Sequence, residues 1–191
     1  MSKVNRSRGL SVLVVGGEST LGAALTRRLQ REGALVETTD RRGQGTYALD
    51  LAHPEGPALP DASGRVPDWV VVCAAVTRQG DCARDPETSY RINVTNTLAL
   101  LRRFHARGSR VLFPSSTFVL AGDRPAAPAD APYAPVGPYG WQKAEAERAL
   151  RDLGAGVAVC RIGKVVHAAM PPIPDWTAAA RAGARAQAFQ D

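Results

Sequence analysis

The chain holds 191 residues, 45% hydrophobic and 22% charged, with a formal net charge of +6 and a pI near 9.7. That length suits one well-buried domain and is short for two; the composition is that of a soluble globular protein, with no apolar window long enough to cross a bilayer and no secretory-type apolar core behind the polar start. Only three of the 24 basic residues are lysines (Lys3, Lys143, Lys164), and the arginines are scattered without interleaved aromatics, so the charge reads as solvated surface and not as a nucleic-acid interface.

The stretch 11–31, SVLVVGGESTLGAALTRRLQR, predicts a buried strand, a tight turn and a helix. Its glycines let backbone approach a phosphate, and the helix aims its unpaired N–H groups and positive dipole end at the same anion. From Gly17 the turn reads G-x-S-x-x-G, with Ser19 where the dinucleotide fingerprint has its middle glycine. Gly33 ends the helix, and Leu35 to Thr39 predicts a second strand ending at Asp40. A carboxylate about 20 residues after the glycine turn is placed to accept from the adenosine ribose, as in NAD sites; Arg41 and Arg42, which follow at once, suit the 2'-phosphate of NADP, or are ordinary turn residues. Tyr47 to Leu49 is a short apolar piece, followed at Asp50 and Leu51 by a Pro-rich connector. Trp69 to Ala75 (WVVVCAA) is a continuous apolar run expected to form a central parallel strand.

Asp85-Pro86-Glu87 opens a predicted helix whose stripe Ile92, Leu98, Leu101, Phe104 is interrupted by Asn93, read from spacing alone as exposed. Arg110 to Pro114 predicts a strand delivering Ser115, Ser116 and Thr117 to its carboxyl end, the edge where ligands sit in an open α/β sheet. A Pro/Ala-rich loop over 121–138 leads into a helix beginning near Tyr139, with Lys143 four residues on and so on the same face. A cation beside a phenol is expected to lower its pKa towards neutrality and make it a general acid/base. Val157 to Ile162 predicts a sixth strand, and Asp175 the cap of a last helix, Trp176 to about Ala188. The alternation points to a doubly wound α/β fold with a parallel sheet.

Cys73, Cys82 and Cys160 show no metal-ligand spacing; Cys73 and Cys160, inside strand-like runs, are expected to be buried free thiols. No metal site and a reducing compartment, the cytoplasm, are the expectations. The isolated His53, His105 and His167 read as solvated or core residues. The helical faces Glu87 to Arg107 and Tyr139 to Leu153 are candidates for pairing in a homodimer, though nothing in the sequence requires it.

Together these residues resemble the short-chain dehydrogenase/reductase superfamily in its extended, sugar-nucleotide-modifying branch. VVGGESTLG resembles the cofactor turn, VVVCAAVT the strand and turn over the dinucleotide, DPETSYRINVTNTLALL the helix with the branch's asparagine, FPSSTFVLAG the active-site strand, and YGWQKAEAE the Tyr-x-x-x-Lys helix. The run 123–147 is most similar to the dTDP-4-dehydrorhamnose reductase family of sugar-nucleotide-binding proteins, and next to the NAD-dependent epimerase/dehydratase family.

The resemblance implies a Rossmann-type NAD(P)-binding domain over 1–162 and the start of a shortened substrate-binding region over 163–191. It implies Tyr139 as catalytic acid/base, Lys143 as its partner, and Ser116, with Thr117 as fallback, orienting the substrate oxygen. The cofactor, NADP or NAD, would meet Gly16, Ser19, Thr20, Leu21, Gly22, Asp40, Arg41, Asp50, Leu51, Ala74, Ala75 and Asn93, besides Tyr139 and Lys143. The implied activity is hydride transfer on a nucleotide-linked sugar, a 4-keto sugar reductase; epimerase or dehydratase chemistry, or a non-catalytic dinucleotide-binding module, are the alternatives.

Overall fold

The computed structural model describes residues 9–54, 59–122, 126–170 and 172–185. Among them β1 (Ser11–Val15), β2 (Leu35–Asp40), β3 (Tyr47–Ala48), β4 (Trp69–Val72), β5 (Arg110–Ser116) and β6 (Val157–Ile162) form one parallel sheet in the order β3-β2-β1-β4-β5-β6. The chain winds outward from β1 in one direction through β2 and β3, then returns to the other side of β1 for β4, β5 and β6. This is the doubly wound, Rossmann-type architecture, and it opens a crevice outside the carboxyl ends of β1 and β4, where the winding reverses.

The helices are α1 (Thr20–Arg31), α2 (Gln79–Arg84), α3 (Pro86–Tyr90), α4 (Thr97–Ala106), α5 (Gly137–Arg151) and α6 (Ile173–Arg181). Leu13, Val15, Val70, Val72, Val111 and Phe113 point to one sheet face and pack against Leu98, Leu101 and Phe104 of α4 and Ala146 and Leu150 of α5. Val12, Val14 and Val71 point to the other face, against Leu25 and Leu29 of α1. Both faces of β1 are therefore covered, which is why its apolar run is unbroken. No described helix is long and apolar enough to cross a membrane.

The expected boundaries shift in five places, each with a local cause. The strand expected to reach Ala75 stops at Val72, because the N–H groups of Cys73 and Ala74 both turn to donate to Val15 O, at 2.8 and 3.0 Å, drawing the chain over the glycine turn. Ser115 and Ser116 lie inside β5, opposite Arg161 and Ile162 of β6, and not beyond its end. The helix from Pro86 contains a π turn at Arg91–Asn96, in which Thr97 Oγ1 donates to Ile92 O at 2.8 Å, and a further short helix, α2, precedes it. The Pro-rich connector holds a 3₁₀ turn at Pro60–Ser63, fixed where the wholly buried carboxylate of Asp61 accepts from Arg103 Nε and Nη2 at 2.5 and 2.7 Å.

The last helix starts at Ile173, with Pro172 at its cap position, so Asp175 sits inside the first turn; it ends at Arg181, short of the expected Ala188, where Gly183 takes φ +65°. The thiols also differ from expectation. Cys160 is exposed, because it faces away from α5 on an edge strand whose other face no described helix covers, and Cys73, just past β4, is partly buried. Cys82 is the fully buried thiol and donates to Val76 O at 3.4 Å.

Candidate active site

At the end of β1 the N–H groups of Gly16 and Gly17 both donate to Thr39 O of β2, at 3.0 and 2.9 Å, and the chain reverses. Gly16 has φ +82°, and a Cβ there would lie 2.7 Å from the backbone nitrogen of Ala74, so only glycine fits this crossing. Ser19 then caps α1: its Oγ accepts from Gly22 N at 3.0 Å and donates to Gly16 O at 2.8 Å. The hydroxyl thus closes the turn on itself, which gives the departure from glycine a structural purpose. Thr20 and Leu21 open the helix, and their N–H groups, having no carbonyl four residues back within it, belong to the positive end of its dipole.

Asp40 ends β2 with only 5% of its surface exposed. Its Oδ1 accepts from Arg42 N at 2.7 Å and Gln44 N at 3.0 Å, so the carboxylate ties up the turn that follows it. Burial opposes its ionisation, but the N–H groups of Gln44, Arg42, Gly45 and Gly43 outweigh burial and hold its pKa below the ordinary carboxylate value. The exposed guanidinium of Arg41 lies 3.8 Å from Glu18 Oε1. Asp50 Oδ1 accepts from Ala52 N at 2.8 Å, and Leu51 is buried beside it, its carbonyl accepting from Asn96 Nδ2 at 2.6 Å.

Asn93, expected from spacing to be exposed, is 1% exposed. Its Oδ1 accepts from Val76 N at 2.8 Å, and its Nδ2 donates to Val76 O at 2.8 Å and to Gln142 Oε1 at 2.7 Å, while Gln142 Nε2 donates to Ser89 Oγ at 2.8 Å. The loop after β4, the π turn and α5 are thereby joined through one amide. Asn93 serves the site by holding this loop and does not line the cavity.

On α5, Tyr139, Lys143 and Glu147 follow one another at four-residue spacing, all facing inward. The Tyr139 ring meets Phe118 edge-on, with centroids 6.2 Å apart. Ser116 Oγ accepts from Phe118 N at 3.2 Å and caps the short turn Thr117–Val119, which leaves the serine proton free to donate. Lys143 Nζ donates to Pro114 O at 3.0 Å and sits 4.3 Å from the centre of the Phe113 ring and 5.8 Å from that of Tyr139. Glu147 is wholly buried, held by a forked pair from Arg161, with Nη2 to Oε2 at 2.9 Å, and by the hydroxyl of Tyr133 at 3.0 Å.

The expected drop of the phenol's pKa towards neutrality does not occur among the protein's own groups. Burial pushes Tyr139 up to about 12, with a smaller contribution from Cys82, and pulls Lys143 down to about 8, against the opposing pull of Cys73 and Glu147. Raising the phenol from 10 to about 12 opposes ionisation by roughly 3 kcal/mol. The Lys143 ammonium, with Nζ 5.8 Å from the centre of the ring, is not among the groups that bring the phenol back down.

These parts meet in one cavity of about 940 Å³. Its walls include Gly16, Ser19, Thr20, Leu21, Asp40, Arg41, Asp50, Leu51, Ala74, Ala75, Ser116, Tyr139 and Lys143, and exclude Gly22 and Asn93 among the residues expected there. Gly22 acts through its N–H on Ser19. Sequence reading passed over Cys73, Arg78, Asp81, Phe118 and the segment Ile162–Val165 with His167 and Met170, which line further parts of the wall. It also passed over Glu147, although its place four residues beyond Lys143, on the same face, could have been noticed.

A family model described as the RmlD substrate binding domain matches residues 10–171. The chain is 36% identical over 156 residues to a UDP-glucose 4-epimerase of Rhizobium meliloti (strain 1021), covering 75% of this chain and 47% of that protein. It is similar in structure to a hypothetical dTDP-4-dehydrorhamnose reductase from Sulfolobus tokodaii (25% identity, TM-score 0.72, covering 83% of this chain and 57% of that one). A short-chain dehydrogenase/reductase superfamily protein from Agrobacterium tumefaciens, solved with NAD bound, is also similar (30% identity, TM-score 0.64, 78% and 48%). The chain spans about half the length of the curated relatives it matches.

Proposed function

The chain belongs to the RmlD substrate binding domain family, and from that membership we propose that it is the nicotinamide-dinucleotide-binding part of an oxidoreductase acting on a nucleotide-linked sugar, of the 4-keto sugar reductase type. The observation that carries this reading is the meeting of Ser116, Tyr139 and Lys143 with the glycine turn in one cavity. Residues 1–162 would form the cofactor domain and 163–191 the beginning of the substrate region. Three cysteines without a disulfide support a cytoplasmic location.

The residues fit NADP or NAD. Gly16 keeps the crossing between β1 and the loop after β4 free of side chain, the first turn of α1 offers unpaired N–H groups to a pyrophosphate, and the Tyr139–Lys143 face closes the far end. When bound, the nicotinamide supplies the hydride. Tyr139, protonated at neutral pH, gives its proton to the sugar oxygen as the carbonyl becomes a hydroxyl, and takes one in the reverse direction. Ser116 donates the proton it keeps free to the same oxygen and orients it. Lys143, held by Pro114 O, carries positive charge below about pH 8 and offsets part of the cost of the phenolate left behind.

The 36% identity with a UDP-glucose 4-epimerase favours a second reading, in which the same three residues take a proton from the sugar's C4 hydroxyl and return it, while a bound nicotinamide would take the hydride from C4 and give it back on the other face. The two separate by substrate. The reductase reading expects NAD(P)H oxidation with a dTDP- or UDP-linked 4-keto sugar; the epimerase reading expects UDP-glucose to interconvert with its C4 epimer without net cofactor consumption. For either, Tyr139→Phe is expected to lower turnover by at least about 100-fold while fluorescence titration still detects cofactor binding. A variant that turns over like the parent would remove Tyr139 from the chemistry.

A further inference from the structure

Resting on the reading of Ser116 and Tyr139 as partners in the reaction, we infer that Tyr133 is a positioning residue for it: its hydroxyl, seated on the buried Glu147–Arg161 pair, pins the segment 129–136 against Phe118, and Phe118 holds Ser116 through its nitrogen and Tyr139 through its ring.

The segment that delivers the catalytic helix has few attachments of its own. Residues 129–136 form neither helix nor strand, and Pro132 and Pro135 have no N–H to give. Two of the remaining amides go to the turn after β5, where Ala134 N donates to Val119 O and Val136 N to Phe118 O, both at 3.0 Å. Side chains supply the rest of the hold. Arg161 Nη1 of β6 donates to Ala129 O at 3.2 Å, Gln79 Nε2 donates to Val136 O at 3.3 Å, and the Tyr133 hydroxyl donates to Glu147 Oε2 at 3.0 Å.

The socket for that hydroxyl is complete without it. Glu147 is wholly buried; its oxygens accept from Arg161 Nε at 3.2 and 3.1 Å, and Oε2 accepts from Nη2 at 2.9 Å, so the charge is balanced within the pair. The Tyr133 ring packs against the guanidinium groups of Arg148, Arg161 and Arg151, 4.5, 5.0 and 5.4 Å from its centre, and needs no oxygen to do so. What the hydroxyl adds is one hydrogen bond to a charged acceptor, and burial together with the neighbouring carboxylate keeps its proton in place. Such a bond fixes a position without carrying the fold.

Phe118 passes that position on to the site. Its N–H donates to Ser116 Oγ at 3.2 Å, its carbonyl accepts from Val136 N, and its ring meets that of Tyr139 with centroids 6.2 Å apart. With 45% of its surface exposed, Phe118 is held by these contacts more than by packing. Loosening the segment therefore lets Ser116 and Tyr139 drift relative to one another, and a misplacement of about 1 Å is enough to cost about 100-fold in rate.

The test is Tyr133→Phe in the whole chain, which keeps the ring among the guanidiniums and removes only the hydroxyl. It is read by NMR on protein labelled at its four tyrosines and at its backbone amides. The Tyr139 ring signals, identified with Tyr139→Phe, are expected to move while those of Tyr47 stay. The amides of Ala134 and Val136 are expected to exchange about tenfold faster or more, with those of Leu13 and Val70 unchanged. With NAD(P)H and a dTDP- or UDP-linked 4-keto sugar, kcat is expected to fall about tenfold while KM and cofactor affinity stay within about twofold. Unmoved Tyr139 signals, exchange that speeds up equally at Leu13 and Val70, a kcat equal to the parent's, or a variant that no longer folds would each overturn the inference. A parent chain that turns over no sugar would instead remove the oxidoreductase reading, and the ring signals and exchange rates would still decide whether Tyr133 sets the place of Tyr139.

Discussion

A phenol enclosed by its own fold is a weaker acid than one in water, and Tyr139 illustrates how far enclosure goes. The chain has four tyrosines, and each is held above the ordinary phenol value: Tyr139 and Tyr133 chiefly by burial, Tyr47 by burial and Glu37, and Tyr90 by its hydrogen bond to Glu145. A spectrophotometric titration is therefore expected to show phenolate appearing in the folded protein only at higher pH than in the unfolded chain. The sign follows from linkage. Where the folded pKa lies above the unfolded one, the folded state holds its proton longer, and the stabilisation is lost as pH climbs through the folded value, about 12 for Tyr139. A signal from one tyrosine near pH 8 would mean that the site lowers the phenol unaided. The pairing of Tyr139 with Lys143 was legible in the sequence, because four-residue spacing on a helix dictates a shared face. The direction of the pKa was not legible, because it depends on how much apolar wall surrounds the pair, and Phe113 and Phe118 reach it from another element.

Elements set the distances between such residues, and here two of them touch backbone to backbone. Gly140 of α5 lies against the short turn after β5, where an added Cβ would sit 2.3 Å from Phe118 O, an oxygen already accepting from Val136 N at 3.0 Å. Gly140→Ala sets two effects against each other: alanine gains about 1 kcal/mol in helix propensity, and the overlap costs roughly 1 to 3 kcal/mol because backbone, not a flexible side-chain tip, has to yield. A net loss of stability in urea denaturation is expected, with turnover falling by about 100-fold as Tyr139 is carried away from Ser116. A stabilised, fully active alanine variant would show that this crossing is loose.

The run of strand, turn and helix around Gly16 was readable because periodicity and glycine placement are local properties. The π turn, α2 and the capture of Asp40 by its own loop were not, since each answers to partners that composition does not reveal. Asn93 shows the same limit: spacing exposes it, while three hydrogen bonds to other segments bury it.

At the scale of the molecule, the sheet is unequally protected. Leu13, Val14, Val70 and Val111 are sealed at the centre, whereas β3 has two residues at one edge and β6 faces α5 on one side only. Hydrogen exchange is expected to leave β1 and β4 amides slowest and to release β6 and β3 first among the strands. Uniform protection across all six would mean that something else covers the edges. The central strands carry the turn and the loop after β4, so the most protected part of the fold is also the part that fixes the cavity floor.

The amide of Asn93 behind that floor works like a keyed plug. Its nitrogen end meets two oxygens, Val76 O and Gln142 Oε1, and its oxygen end meets an N–H. Aspartate, nearly the same in shape, would turn the nitrogen end into a third oxygen and add a charge; leucine would leave all three partners unanswered. A position that lines neither the cavity nor the surface thus accepts one residue by the polarity of its socket, not by its volume.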